Sequence, residues 1–263
     1  MANFLIYPFK TMRITQNYNG TTSHKPHSTG NPKDYPLDEG ADDGGRSWMY
    51  CDCDELEIVR ITGVGTKGTN TIWLTSTKTV VFADLTTDYA TIMAIHPNDD
   101  DLSKLKVGQK FKRYDKMFRE GTDGATGNHI HFAVGKGKIT GNGWTQNSKG
   151  KWVLTTTGGP IKPEKAMAVD KSFTTVKEKQ GLAFKSLAAV EKEYKNKPVE
   201  YKVNLDPQYK HLNCREKPST ESKTTAQFVN GTKLEITQTK TAEGLKWGKC
   251  SQGWVALKFC KKV

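Results

Sequence analysis

Tyr89–Gly135 reads YATIMAIHPNDDDLSKLKVGQKFKRYDKMFREGTDGATGNHIHFAVG. Its two ends carry most of the information in the chain. The run YATIMAI is apolar and β-prone and stops at His96. At the other end, Asn128-His129-Ile130-His131-Phe132 alternates imidazole with apolar side chains. On a strand that alternation puts both imidazoles on one face, about 6–7 Å apart, and turns Ile130 and Phe132 to the other. Two imidazoles so placed can serve one site, one binding a metal while the other handles protons or an oxyanion.

Working outward, ELEIVRITGVG at 55–65 and NTIWLTSTKTVVFADLT at 70–86 are further short β-branched runs broken by Gly, Asn and Asp. Short strands at this spacing predict an all-β fold for residues 1–170. Five of the six histidines fall there: His24, His27, His96, His129 and His131, with only His211 outside. The loop TTSHKPHSTGNPKDYPLDEGADDGG at 21–45 adds His24, His27, Asp34 and Asp38. A catalytic zinc takes three protein ligands from His and carboxylate and keeps a position for water. This loop and His131 together offer such a set, and the residues alone leave open which members form it. There is no H-E-x-x-H helix, which excludes the commonest zinc-protease arrangement. Asp42-Asp43 and Asp99-Asp100-Asp101 read as solvated loop charges, with calcium binding as the alternative.

Residues 171–198 change character. Val176, Leu182, Ala183, Leu187, Val190 and Tyr194 recur at helix-like spacings and Pro198 ends the run, which predicts a short, partly helical linker. Residues 199–263 return to short strands and turns, the pattern of a small barrel.

The chain carries 40 Lys and Arg against 28 Asp and Glu, a formal net charge of +12. The excess is uneven: 21 against 19 in residues 1–170, but 19 against 9 in residues 171–263. A basic tail beside a near-neutral domain predicts attachment to a polyanion. The charge by itself fits nucleic acid, an anionic membrane or a cell wall. The five cysteines are odd in number and form no C-x-x-C pair, so they predict buried thiols rather than a disulfide framework. No segment has the roughly 20 apolar residues of a membrane span, and the N-terminal stretch has no signal-type apolar run.

The segment Tyr89–Gly135 resembles the core of the lysostaphin/LytM-type zinc endopeptidases. Ile95-His96, the turn Lys106-Val107-Gly108-Gln109-Lys110-Phe111-Lys112 and the strand Gly127-Asn128-His129-Ile130-His131-Phe132 follow that family's order and spacing. The resemblance spans about residues 10–135, extending to about 170. It implies a LytM-like antiparallel sheet, Zn2+ as cofactor, His131 and Asp38 as ligands, and His96 and His129 as the catalytic pair. The family's usual first ligand lies four residues before the aspartate, where this chain has Asp34. The expanded loop SHKPHSTGNPKDYPLD implies His24 in that role, with His27 as the alternative and Asp34 as the fallback.

Residues 199–263 resemble the bacterial Src-homology-3-like domain through LNCREKPST at 212–220, NGTKLEI at 230–236, Trp247-Gly248-Lys249-Cys250 and Gly253-Trp254-Val255. That resemblance implies wall binding, for which Tyr201, Tyr209 and Trp247 are candidate contacts, with core packing as the alternative for Trp247 and, above all, Trp254. Together the two resemblances imply a phage-type endolysin. Such a protein is made in the host cytoplasm, released to the wall, and cuts peptides of Gram-positive peptidoglycan. Its expected partners are peptidoglycan and anionic wall polymers, with no nucleic acid and no stable membrane insertion, and a monomer is expected. The rival readings are a degenerate, wall-binding or regulatory family member, and a bacterial autolysin or tail-associated lysin.

Overall fold

The structure is a computed structural model and describes residues 2–20, 23–40, 45–66 and 70–263. Asp42-Asp43 lies outside the described residues. The fold is all-β, in two compact units, residues 1–191 and 192–263.

The first unit is built on a nine-stranded sheet. Its strands, with the hairpin that accompanies them, are β1 (Thr11–Gln16), β2 (Leu37–Glu39), β3 (Glu55–Thr62), β4 (Thr71–Ser76), β5 (Ala90–Ile95), β6 (Lys110–Lys112), β7 (Ile130–Lys136), the hairpin β8 (Ile139–Gln146) and β9 (Trp152–Thr156), β10 (Gly159–Pro160) and β11 (Thr175–Glu178). The sheet order is β11-β1-β2-β7-β5-β4-β3-β6, with β10 also on β7 and β8 paired only with β9. All pairs are antiparallel except β1 with β11.

Alternation along each strand sorts the faces as the sequence pattern requires. Ile58, Ile72, Leu74, Ile92, Ala94, Ile130, Phe132 and Val134 join one large core with Tyr7, Phe9 and Phe82. The intervening residues Trp73, Met93 and Ala133 face the other way and pack under Leu154 and Trp144 of the β8–β9 hairpin. The face that carries His131 is the thinner one, covered by that hairpin and by the loop that carries His24 and His27.

The linker expected over 171–198 is corrected in extent. Residues 171–191 belong to the first unit, because β11 adds to the sheet edge beside β1 and Leu182 is buried in the large core. Phe184 packs edge-on to Tyr7, with ring centroids 5.6 Å apart. The helical part is only Leu187–Lys195. The helix-like spacing began at Val176 and Leu182, but Val176 lies on β11 and Leu182 in irregular chain buried against the core.

In the second unit β12 (Val199–Val203) lies between β15 (Lys233–Ile236) and β19 (Cys260–Lys262). A five-stranded sheet runs β14 (Thr224–Phe228), β13 (Leu212–Arg215), β18 (Gly253–Ala256), β17 (Leu245–Cys250), β16 (Gln238–Ala242). Val203, Leu212, Cys214, Leu234, Ile236 and Val255 form its core.

All five cysteines are unpaired and four are buried, as the spacing implied. Cys51 donates to the carbonyls of Cys53 and Phe111, so this pair is structural. Between them sits Asp52, wholly buried, whose carboxyl oxygens find no partner among the described residues beyond its own backbone amide. Burial pushes its carboxyl up from 3.8 to about 8, and the Arg113 guanidinium offsets only part of that. Below pH about 4 the acid is neutral in both folded and unfolded chains. As pH rises toward 8 the unfolded chain ionises first, so stability falls by about 1.4 kcal/mol per pH unit across that window. Asp52→Asn should abolish this slope. Urea unfolding at pH 5 and pH 8 checks it: the wild-type midpoint should drop between the two, and the variant's should drop less.

Candidate active site

Register brings the site together. β7 runs between β2 and β5, and His131 lies opposite Asp38 on one side and Ile95 on the other. The residue after Ile95 is His96, so three separate segments deliver their side chains to one spot. His96 adopts φ 69°, a left-handed conformation that costs a non-glycine residue about 1–3 kcal/mol and recurs at functional sites. Gly121 packs against this corner: a Cβ there would lie 2.7 Å from the His96 carbonyl oxygen.

Three side-chain atoms converge. His24 Nε2 lies 3.0 Å from Asp38 Oδ1 and 3.1 Å from His131 Nδ1, and His131 Nδ1 lies 3.1 Å from the same aspartate oxygen. Among the described residues this is the His/Cys/Asp/Glu group spaced to hold a metal ion. His24 is 1% exposed and His131 8%.

Proton bookkeeping shows what such a cluster needs. His24 Nδ1 is 3.0 Å from the Asn17 carbonyl, which can only accept, so Nδ1 carries a hydrogen, and in the neutral ring Nε2 is left as a lone pair free to bind a metal. Burial acts first to raise the Asp38 carboxyl, but the hydrogen bonds and charges of His131 and His24 outweigh it and hold it well below the usual range. Burial lowers His131 to about 4, against the pull of Asp38, so its ring is neutral at pH 7. Two imidazole nitrogens and a carboxylate oxygen, all within 3.1 Å, are a donor set that fits a cation. A tetrahedral zinc with bonds of about 2.0–2.1 Å sets its ligand atoms about 3.3 Å apart, close to what is seen here.

His96 and His129 flank this cluster, with ring centroids 4.8 Å apart. His129 Nε2 is 3.8 Å from Asp38 Oδ1. Each is fixed through Nδ1 to a carbonyl, His96 to Asp123 at 2.5 Å and His129 to Gly127 at 3.0 Å. Both therefore present bare Nε2 atoms in the neutral form. Burial, then the facing His129, lowers the His96 imidazole.

Five predicted residues thus meet: His24, Asp38, His96, His129 and His131. His27 lines the same groove but stands outside the three-atom cluster, its Nδ1 taken by buried Asp34 at 2.9 Å. Asp34 is consequently no substitute ligand. The groove measures about 570 Å³ and is open. Gly124, Ala125 and Thr126 line it together with Gly150, Lys151 and Trp152.

The last three residues were not foreseen. Trp152 is 49% exposed and ends a stack in which Trp144 lies 5.1 Å from it and Trp73 4.9 Å from Trp144. The one available signal was two tryptophans flanking the polar turn Gln146–Lys151.

In the second unit a cavity of about 310 Å³ is lined by Tyr209, His211, Arg215, Trp247, Lys258 and Phe259 among others, with no acidic residue. Trp247 is 2% exposed and donates Nε1–H to the Ala242 carbonyl at 3.2 Å, so it is a buried wall of this cavity. Tyr201 packs half-buried against the core, whereas Tyr209 is 47% exposed. Trp254, expected in the core, is only half-buried.

No protein-family model matches the chain, and no curated protein does. Among solved structures the chain is similar to a zinc-containing peptidase from Vibrio cholerae, at 20% identity and TM-score 0.32 over 50% of this chain. The match spans 36% of that protein's length. It is also similar to lysostaphin in a solution structure, at 15% identity and TM-score 0.32 over 84% of this chain and 80% of that one. A third is lysostaphin from Staphylococcus simulans, at 12% identity and TM-score 0.31 over 95% and 85%.

The loop carrying His24 is latched to the hairpin turn. Asn147 donates Nδ2–H to the Pro26 carbonyl at 2.9 Å and accepts from the amides of Lys149 and Lys151. A Cβ at Gly30 would lie 2.2 Å from that Nδ2, so the loop approaches only as glycine there. Asn147→Ala removes these bonds, a loss of about 1–1.5 kcal/mol in holding the loop. Amide exchange at Gly30 and Asp34, which donate within the loop, should quicken about tenfold. Unchanged exchange there would show that the latch carries no stability.

Proposed function

We propose that this protein is a zinc-dependent peptidase of the lysostaphin/LytM type that hydrolyses peptides of peptidoglycan. The observation that carries the reading is the set His24 Nε2, Asp38 Oδ1 and His131 Nδ1 within 3.1 Å of one another, facing the His96–His129 pair across an open groove. These three residues would hold the metal. Zinc bound there supplies Lewis acidity, polarising a scissile carbonyl and making a water acidic enough to ionise near neutral pH.

The remaining steps belong to the chain's own side chains. His129, with its hydrogen fixed on Nδ1, accepts the water's proton at Nε2. Burial and the facing His129 favour the neutral His96 ring, so it stabilises an oxyanion or protonates a leaving amine only after gaining a proton at Nε2. The groove's small residues Gly124 and Ala125 leave room for an extended peptide, and Trp152 supplies a flat face against it.

A phage-type endolysin acting on Gram-positive walls is the finer form of this proposal. It is supported by a second unit, residues 192–263, that is rich in lysine and carries an acid-free cavity with aromatic walls. That unit's motifs resemble the Src-homology-3-like wall-binding domain, and exposed Tyr209 is its first contact candidate. Among the described residues no helix is long and apolar enough to cross a membrane.

Turbidity loss of purified Gram-positive walls tests the reading. Lysis should stop with chelator, return with zinc, and vanish in His131→Ala together with bound zinc. His129→Ala and His96→Ala should retain zinc and lose roughly 10²–10⁴-fold in kcat. Tyr209→Ala should weaken wall retention while leaving cleavage of a soluble peptide unchanged. Absence of both lysis and bound metal would overturn the enzyme and leave a wall-binding protein.

A further inference from the structure

The expanded loop brings a second histidine–aspartate pair into the site, and it has no role in the chemistry above. His27 and Asp34 are 7% and 0% exposed. Both oxygens of Asp34 are committed: Oδ1 lies 2.9 Å from His27 Nδ1, and Oδ2 accepts the Leu154 amide at 2.8 Å. A carboxylate only accepts, so His27 carries a hydrogen on Nδ1, and in the neutral ring its Nε2 is an acceptor.

His131 has the complementary need. With Nδ1 given to a metal alongside Asp38 and His24, its hydrogen would sit on Nε2. That atom is buried and has no hydrogen-bond partner among the described residues. A metal-binding histidine almost always donates its other ring N–H to an acceptor, which fixes its tautomer and raises its basicity. The His27 ring is a neighbour, its centroid 5.3 Å from that of His131. His24 meets the same requirement through the Asn17 carbonyl. His131 lacks a carbonyl in that position.

We propose that Asp34 and His27 form an outer relay for the metal site, His27 Nε2 receiving the His131 Nε2–H through one bridging water. The inference rests on the metal-site reading above. Asp34 sets the tautomer of His27, His27 sets that of His131, and His131 is thereby held with its Nδ1 lone pair toward the metal. His27 is in this view a positioning residue. The loop that departs from the usual ligand spacing is then the element that brings in this support.

The test is zinc affinity of the full chain, measured by competition with a chromophoric chelator. Wild type is compared with His24→Ala, His27→Leu, His27→Gln and Asp34→Asn. His24→Ala should abolish tight binding. His27→Leu fills the space without an acceptor and should weaken binding 10–100-fold, the usual effect of losing such an outer partner. His27→Gln keeps an acceptor at the Nε2 position and should restore affinity to within about threefold of wild type. Asp34→Asn has one acceptor oxygen for two donors, His27 Nδ1–H and the Leu154 amide, and should be as weak as His27→Leu. If wild type and His24→Ala behave as stated but His27→Leu binds zinc like wild type, the relay is overturned and the metal site stands. A glutamine variant as weak as the leucine variant overturns it too, since the loss would then come from packing. No zinc binding by wild type would overturn the metal-site reading itself.

Discussion

A carboxylate oxygen and two imidazole nitrogens held about 3 Å apart, on three separate segments, are a donor set ready for a cation. The chain fixes all three firmly. His24 is tied through its far nitrogen to Asn17, Asp38 is placed by pairing of β2 with β1 and β7, and His131 sits in mid-register on β7. The cluster has little room to relax, since each member is set by backbone that the core also needs. That is the condition for metal affinity, because ligands arranged beforehand lose little entropy on binding.

The same sheet explains the separation of labour between its two faces. Ile130, Phe132 and Val134 anchor β7 in the large core, and the intervening positions are free for chemistry. Their cover is thin: Trp73, Met93, Ala133 and Leu154 form a small cluster beneath the β8–β9 hairpin. A deeply covered face would exclude a polymeric substrate, while a bare one would leave the carboxylate too well hydrated to bind a metal tightly. The hairpin, stopping at Trp152, gives an intermediate solution.

Much of this was legible in the residues. H-x-H on a strand fixed the side of the sheet, and YATIMAI ending at His96 placed a third imidazole at a strand end. What sequence could not settle was the choice between His24 and His27, three residues apart in one loop. Both are buried beside His131, and the distinction lies in their partners, Asn17 for one and Asp34 for the other. Partners seven residues away in a loop leave no periodic trace. The linker was misjudged for a related reason. Val176 and Leu182 fit a helical stripe, yet Val176 lies on β11, where the edge of β1 offered pairing, and Leu182 lies in irregular chain, where the core offered volume. In the second unit the expected exposures of Trp247 and Trp254 were likewise exchanged, because each strand's alternation fixes which ring faces inward and composition does not.

The strained corner at His96 ties these themes together. A left-handed histidine persists only where its surroundings over-determine it. Here its amide donates to Asn70, its ring is bound to the Asp123 carbonyl, and Gly121 leaves no space for the backbone to move outward. An unstrained continuation of β5 would carry the residue after Ile95 along the strand direction, away from His129. The left-handed turn instead brings the His96 ring to within 4.8 Å of the His129 ring. With each Nδ1 held by a carbonyl, both rings keep Nε2 for proton transfer beside a site suited to a cation. The backbone strain is thus the structural cost of pairing the two imidazoles.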